Sequence, residues 1–100
     1  MTNEQTARLR NLIEQAARIG ERAVEKYGYP AQELMMVEEC GELVTALARV
    51  HRGRCSDSNV IEEAVDVIIV ALQLGLFLGD ERFLELLGDK TARLETRLSK

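Results

Sequence analysis

Two stretches decide how this chain folds: LMMVEECGELVTALA at positions 34–48 and NVIEEAVDVIIVALQLGLFLG at positions 59–79. Both are oily at helical period, and each carries a short acidic pattern. The first pattern is Glu38-Glu39-Cys40-Gly41-Glu42, and the second is Glu62-Glu63-Ala64-Val65-Asp66. Each contains carboxylates at i,i+3 spacing, Glu39/Glu42 and Glu63/Asp66. On a helix such a pair shares one face, with Cβ atoms about 5–6 Å apart. Two such helices packed antiparallel bring four carboxylates together. Like charges about 4 Å apart repel by about 4 kcal/mol at an effective dielectric near 20. A divalent cation relieves that repulsion, and all-oxygen ligation favours Mg²⁺ or Mn²⁺.

Helical-wheel angles separate the six acids. On the first helix Glu38 falls among Thr45, Arg49 and Arg52, in the polar sector. Glu39 falls between Ala46 and Val50, inside the apolar sector, and Glu42 lies at its edge beside Met35. A carboxylate aimed into an oily sector needs compensation, because an unpaired buried charge is very costly. Glu39 and Glu42 are therefore expected to face protein and Glu38 to lean toward solvent. On the second helix Asp66 shares a side with Gln73, and Glu62 and Glu63 flank it. The wheel does not choose between those two glutamates. Acids suit the first turn of a helix, which gives Glu62 a structural explanation. Di-iron bundles need Glu-x-x-His pairs, and the one histidine, His51, fits neither pattern.

The remaining segments complete an all-α pattern. A first helix is expected from about Asn3 to Tyr27, opened by Thr2 and Gln5 as a capping box. Its stripe is Leu9, Leu12, Ile13, Ala16, Ala17, Ala23 and Val24. Gly28-Tyr29-Pro30 breaks the chain, and Pro30 suits the start of a second helix that runs to Arg52 and stops at Gly53. After a polar loop, Gly53–Asp57, a third helix opens near Ser58 or Asn59 and ends near Gly79. Asn59 with Glu62 gives it a capping-box pattern. A fourth starts after Asp80 with Phe83, Leu84, Leu87, Leu94 and Leu98, and Gly88 is placed to kink or fray it. No strand-period segment or repeat is evident. The expected fold is a four-helix up-and-down bundle, one domain over residues 1–100.

Composition narrows the function classes. The chain has 100 residues, a formal charge of −4, 46% hydrophobic and 30% charged residues. An acidic balance argues against a binder of nucleic-acid backbones, which carries a basic stripe. The oily run Val65–Leu78 contains Asp66 and Gln73 and is too short to span a bilayer. Met1–Gln15 is polar and mixed in charge, unlike a secretory signal. Cys40 and Cys55 form no CxxC pattern, so they read as reduced thiols in a cytoplasmic protein. Between Ala64 and Leu78 the third helix is apolar in nearly every direction. Such a helix must be covered on all sides. Three partner helices in a chain this size leave one side wet, so a homodimer or a dimer-of-dimers tetramer is expected.

The acidic patterns resemble those of the all-α NTP pyrophosphatase (MazG-like) superfamily. Its signature is E-E-x-x-E on one helix and E-x-x-D on the next, here EECGE and EAVD, within a resemblance covering about Glu33 to Leu78. The resemblance sets the register on the third helix and implies Glu39, Glu42, Glu63 and Asp66 as Mg²⁺ ligands. It implies hydrolysis of nucleoside triphosphates between the α and β phosphates, giving monophosphate and pyrophosphate, in the service of nucleotide-pool house-cleaning. Glu38 matches the first acid of the pattern, which in some members orients or deprotonates the attacking water. Lys90 resembles a lysine that follows the third helix in many relatives, implying a phosphate contact.

His51, Arg52 and Arg54 cluster at the end of the second helix, where Arg54 is a candidate for phosphate and the helix dipole is the competing explanation. Relatives often hold the base with an N-terminal aromatic; Tyr27 and Tyr29 are the available stackers, and packing at the Gly-Pro break is their alternative. Three other readings compete, two of them enzymes. Phosphoribosyl-ATP pyrophosphatase shares the helices, but its A-D-L-L-Y-H continuation reads Val65-Asp66-Val67-Ile68-Ile69-Val70 here. The dimeric dUTPase-like branch usually has a longer chain and further acidic motifs. A non-catalytic interaction or scaffold bundle would keep the helices but need not keep all four ligands.

Overall fold

The computed structural model describes residues 1–100 and contains three helices: α1 Asn3–Tyr27, α2 Tyr29–His51 and α3 Asp57–Leu98. The fold is all-α, and no helix is long and apolar enough to cross a membrane. Three helices stand where four were expected. Gly79 is the only residue of α3 with non-helical backbone, and helix resumes at once beyond it. α3 is therefore two helical segments joined without a loop across a kink at Gly79, where the expected third helix ends. Gly88, expected to kink or fray the last segment, stays helical and has open space around it.

Local chemistry explains the helix ends. Thr2 Oγ1 accepts the Gln5 backbone N–H at 3.0 Å, and Gln5 Oε1 accepts that of Thr2 at 2.9 Å. This is the expected capping box. At Gly28 the backbone turns at φ 86°, a conformation that favours glycine, and its N–H reaches the Val24 carbonyl at 2.8 Å. Pro30 lies in the first turn of α2, where its missing N–H leaves no bond unmade. α3 begins earlier than expected. Its N-cap is Ser56, and Asn59 is not the cap but the partner three residues on. Asn59 Oδ1 accepts from Ser56 N at 3.3 Å and Ser56 Oγ at 2.9 Å. Asp57 then occupies the first turn, and Glu62 stands one turn further in, exposed.

α3 packs against both other helices, and α2 is its main partner. Two glycines permit close approach. A Cβ on Gly20 of α1 would lie 2.7 Å from Gln73 Cγ of α3. A Cβ on Gly75 would collide with the Phe83 ring, which the chain beyond Gly79 folds back onto that spot. Tyr29 stacks on Phe77 with ring centroids 4.9 Å apart, tying the start of α2 to α3. The core is thin. Val24, Ala46 and Val70 are the buried hydrophobic residues, and no large side chain is fully buried.

Candidate metal and phosphate site

The acids meet where α2 and α3 pack. Ligand oxygens of Glu39, Glu63 and Asp66 all lie within 4.8 Å of one another, and the three side chains are half-buried. Helix periodicity places them so. Glu39 projects from α2 on the same side as buried Ala46, and Glu63 and Asp66 project from α3 on the side of buried Val70. Glu42 stands outside the triad and is exposed, yet it lies against both Glu39 and Glu63.

Electrostatics in this cluster are unfavourable to bare anions. The Glu39 carboxyl is held above its ordinary value by burial first, then by the charges of Glu42 and Asp66, with Glu38 adding to them. Glu63 is raised by burial, then by a hydrogen bond and charge from Glu42, then by Asp66 and Glu39. One oxygen of each, Glu39 Oε2 and Glu63 Oε2, is buried with no hydrogen-bond partner. Unpaired buried polar atoms call for an explanation. An all-carboxylate donor set with two unpartnered oxygens fits a hard divalent cation.

Beside the acids opens a cavity of about 460 Å³, lined by Glu38, Glu42, Thr45, Arg49, Cys55, Asn59 and Glu63 among others. Glu38 is exposed and lines this cavity, in keeping with its polar-sector position. Arg49 is the only cation among the lining residues, and it forms no ion pair with any of the three glutamates there. The expected substrate contacts lie elsewhere. Arg54 is exposed in the loop between α2 and α3 and does not line the cavity. Lys90 is exposed on the stretch of α3 beyond Gly79, also away from it. Tyr27 is exposed at the end of α1, with Lys26 Nζ 5.4 Å above its ring. Tyr29 is a packing residue in its stack with Phe77.

Arg49 was signalled in the sequence. Glu38, Glu42, Thr45 and Arg49 recur at i, i+4, i+7 and i+11, one continuous stripe along α2. Read only as a solvated sector, that stripe hides a cavity wall. The two thiols are free. Cys40 is exposed, and Cys55 Sγ–H donates to the Ala46 carbonyl at 3.4 Å, pinning the loop to α2 beside the cavity. No family model, curated protein or solved structure matches this chain.

Proposed function

We propose that this protein is a Mg²⁺-dependent nucleoside triphosphate pyrophosphohydrolase that cleaves between the α and β phosphates. The observation that carries the reading is the convergence of Glu39, Glu63 and Asp66, from two helices, within 4.8 Å. It is the arrangement implied by the resemblance to the all-α NTP pyrophosphatase superfamily. On that reading the segments of α3 before and after Gly79 correspond to the third and fourth helices of the bundle. A cytoplasmic role in clearing non-standard nucleotides follows from the same resemblance.

Glu39, Glu63 and Asp66 hold Mg²⁺, with Glu42 completing the set; Mn²⁺ has the same ligand preference. Bound there, the cation offsets the charge of the phosphates and polarises their oxygens. Glu38 lines the cavity beside the acids without joining the triad, so it is free to accept a proton from water. The water oxygen bonds to phosphorus, the bridging P–O bond breaks, and monophosphate and pyrophosphate leave. Arg49 supplies the one positive charge in the cavity wall and takes phosphate oxygens, the role expected of Arg54 and Lys90. Tyr27, exposed at the end of α1 and outside that wall, is the available stacker for the base on this reading.

The test is a panel of canonical and modified (d)NTPs with Mg²⁺, reading pyrophosphate and monophosphate. Pyrophosphate release abolished by EDTA is expected. Release of orthophosphate, or turnover insensitive to chelation, refutes the proposal. Metal binding with no turnover on any substrate leaves a binding role in its place.

A further inference from the structure

Where the end of α1 meets α3 and the start of α2 lies a cavity of about 470 Å³. It shares no lining residue with the cavity beside the acids. Leu72 and the stacked rings of Tyr29 and Phe77 give it an apolar wall, and Glu21, Glu25 and Gln73 add polar side chains. No lysine, arginine or histidine lines it. Along α3, Gln73 stands two turns beyond Asp66, about 10.5 Å at 1.5 Å per residue.

The polar groups here are unmatched. Gln73 Oε1 is buried and has no hydrogen-bond partner, although buried polar atoms are nearly always paired. Packing holds the amide in place, since a Cβ on Gly20 of α1 would meet Gln73 Cγ at 2.7 Å. Glu21 and Glu25 stand one turn apart on α1, exposed and like-charged, and neither forms an ion pair. The Tyr29 hydroxyl is pushed above its ordinary value by burial and then by the charge of Glu33 beside it. Acceptors with no donor call for N–H groups, and carboxylates with no counter-charge call for a cation. The Phe77 ring, more than half exposed, offers that cation a flat apolar surface. A metal ion would find too few oxygens beside the aromatic and aliphatic wall. A planar cation uses every part of it, because such ions stack on aromatic rings and donate parallel N–H groups to carboxylates.

We propose that this cavity binds a small flat cation, an amidinium or guanidinium carried on an apolar body. Its N–H groups donate to Gln73 Oε1 and to the Glu21 and Glu25 carboxylates, and its apolar body packs on the Tyr29–Phe77 wall. The volume lies within the range of small-ligand sites, about 300–1,000 Å³. The site is separate from the Glu39, Glu63 and Asp66 cluster, so it stands whether or not that cluster hydrolyses nucleotides.

Isothermal titration calorimetry on the full chain tests this without any reference to catalysis. The probes are benzamidine and benzamide, its neutral counterpart of the same shape. Saturable binding of benzamidine is expected, at least about 10-fold tighter than that of benzamide, because only the cation makes charge-assisted bonds. Replacing both exposed carboxylates, Glu21→Gln with Glu25→Gln, is expected to weaken benzamidine about 10-fold. Gln73→Leu should weaken it as well, and circular dichroism checks that the variants remain helical. The affinity is expected to be the same in Mg²⁺ as in EDTA. Benzamidine displaced by Mg²⁺ would be sitting on the Glu39, Glu63 and Asp66 cluster, which overturns the proposal. No saturable binding up to about 10 mM, equal affinity for the two probes, or an affinity that the Glu21 and Glu25 substitutions leave unchanged overturns it equally.

Discussion

At the scale of single residues, the acids divide by what surrounds them. Glu39 and Glu63 are held above the ordinary carboxylate value, chiefly by burial and then by their acidic neighbours. A carboxyl raised on folding binds protons more readily in the folded chain than in the unfolded one. Stability of the metal-free protein therefore falls as pH climbs from the ordinary carboxylate value through the raised one. In EDTA, a higher melting temperature at about pH 4.5, the unperturbed glutamate range, than at neutral pH is expected. Glu39→Gln should flatten that dependence and remove the stabilisation that Mg²⁺, bound as proposed, would give at neutral pH. Calorimetry with and without metal measures both. Arg49 makes a different kind of prediction. Its side chain is exposed, so Arg49→Ala should leave kcat nearly unchanged and raise KM about 10-fold, the low end for a charged hydrogen bond. Of these residues, Glu39 and Asp66 are legible from their wheel positions alone. Glu63 needs a register that one helix cannot supply, because Glu62 flanks Asp66 as well. Arg49 stayed hidden because a polar sector looks the same whether it faces bulk water or a cavity.

Among the helices, short-range signals read true and long-range ones do not. Thr2 and Gln5 cap α1 as their spacing implies, because a capping box is settled within one turn. At α3 two overlapping patterns compete, Ser56 with Asn59 and Asn59 with Glu62. The first prevails, lengthening the helix and moving Glu62 out of its first turn. No residue near Gly79 reveals that Phe83 folds back onto Gly75, since that contact bridges the break. It also fixes the size allowed at position 75. Gly75→Ala puts a methyl into the Phe83 ring, and a helix-favouring residue should here destabilise the protein by about 1–3 kcal/mol, as overpacking does. Urea denaturation of the two proteins checks the sign, because helix propensity alone predicts the opposite.

At the scale of the whole molecule, what matters is how much a chain of this length can bury. The oily composition reads as a core, yet Val24, Ala46 and Val70 are its buried hydrophobic residues. Sequence alone tells which faces are apolar but not which of them the chain covers for itself. The loop of residues 52–56 leads to a last consequence. It joins α2 to α3 directly, so Glu39, Glu63 and Asp66 all belong to one helical hairpin, near neighbours in sequence. Local hairpins close early in folding, because little loop entropy is lost. Here early closure drives carboxylates together before other packing exists to hold them. The acid site is then expected to act as an electrostatic brake on the folding rate, one that a divalent cation bound as proposed would release. Refolding from urea, followed by stopped-flow circular dichroism, should be faster in Mg²⁺ than in EDTA, and Glu63→Gln should speed the metal-free reaction.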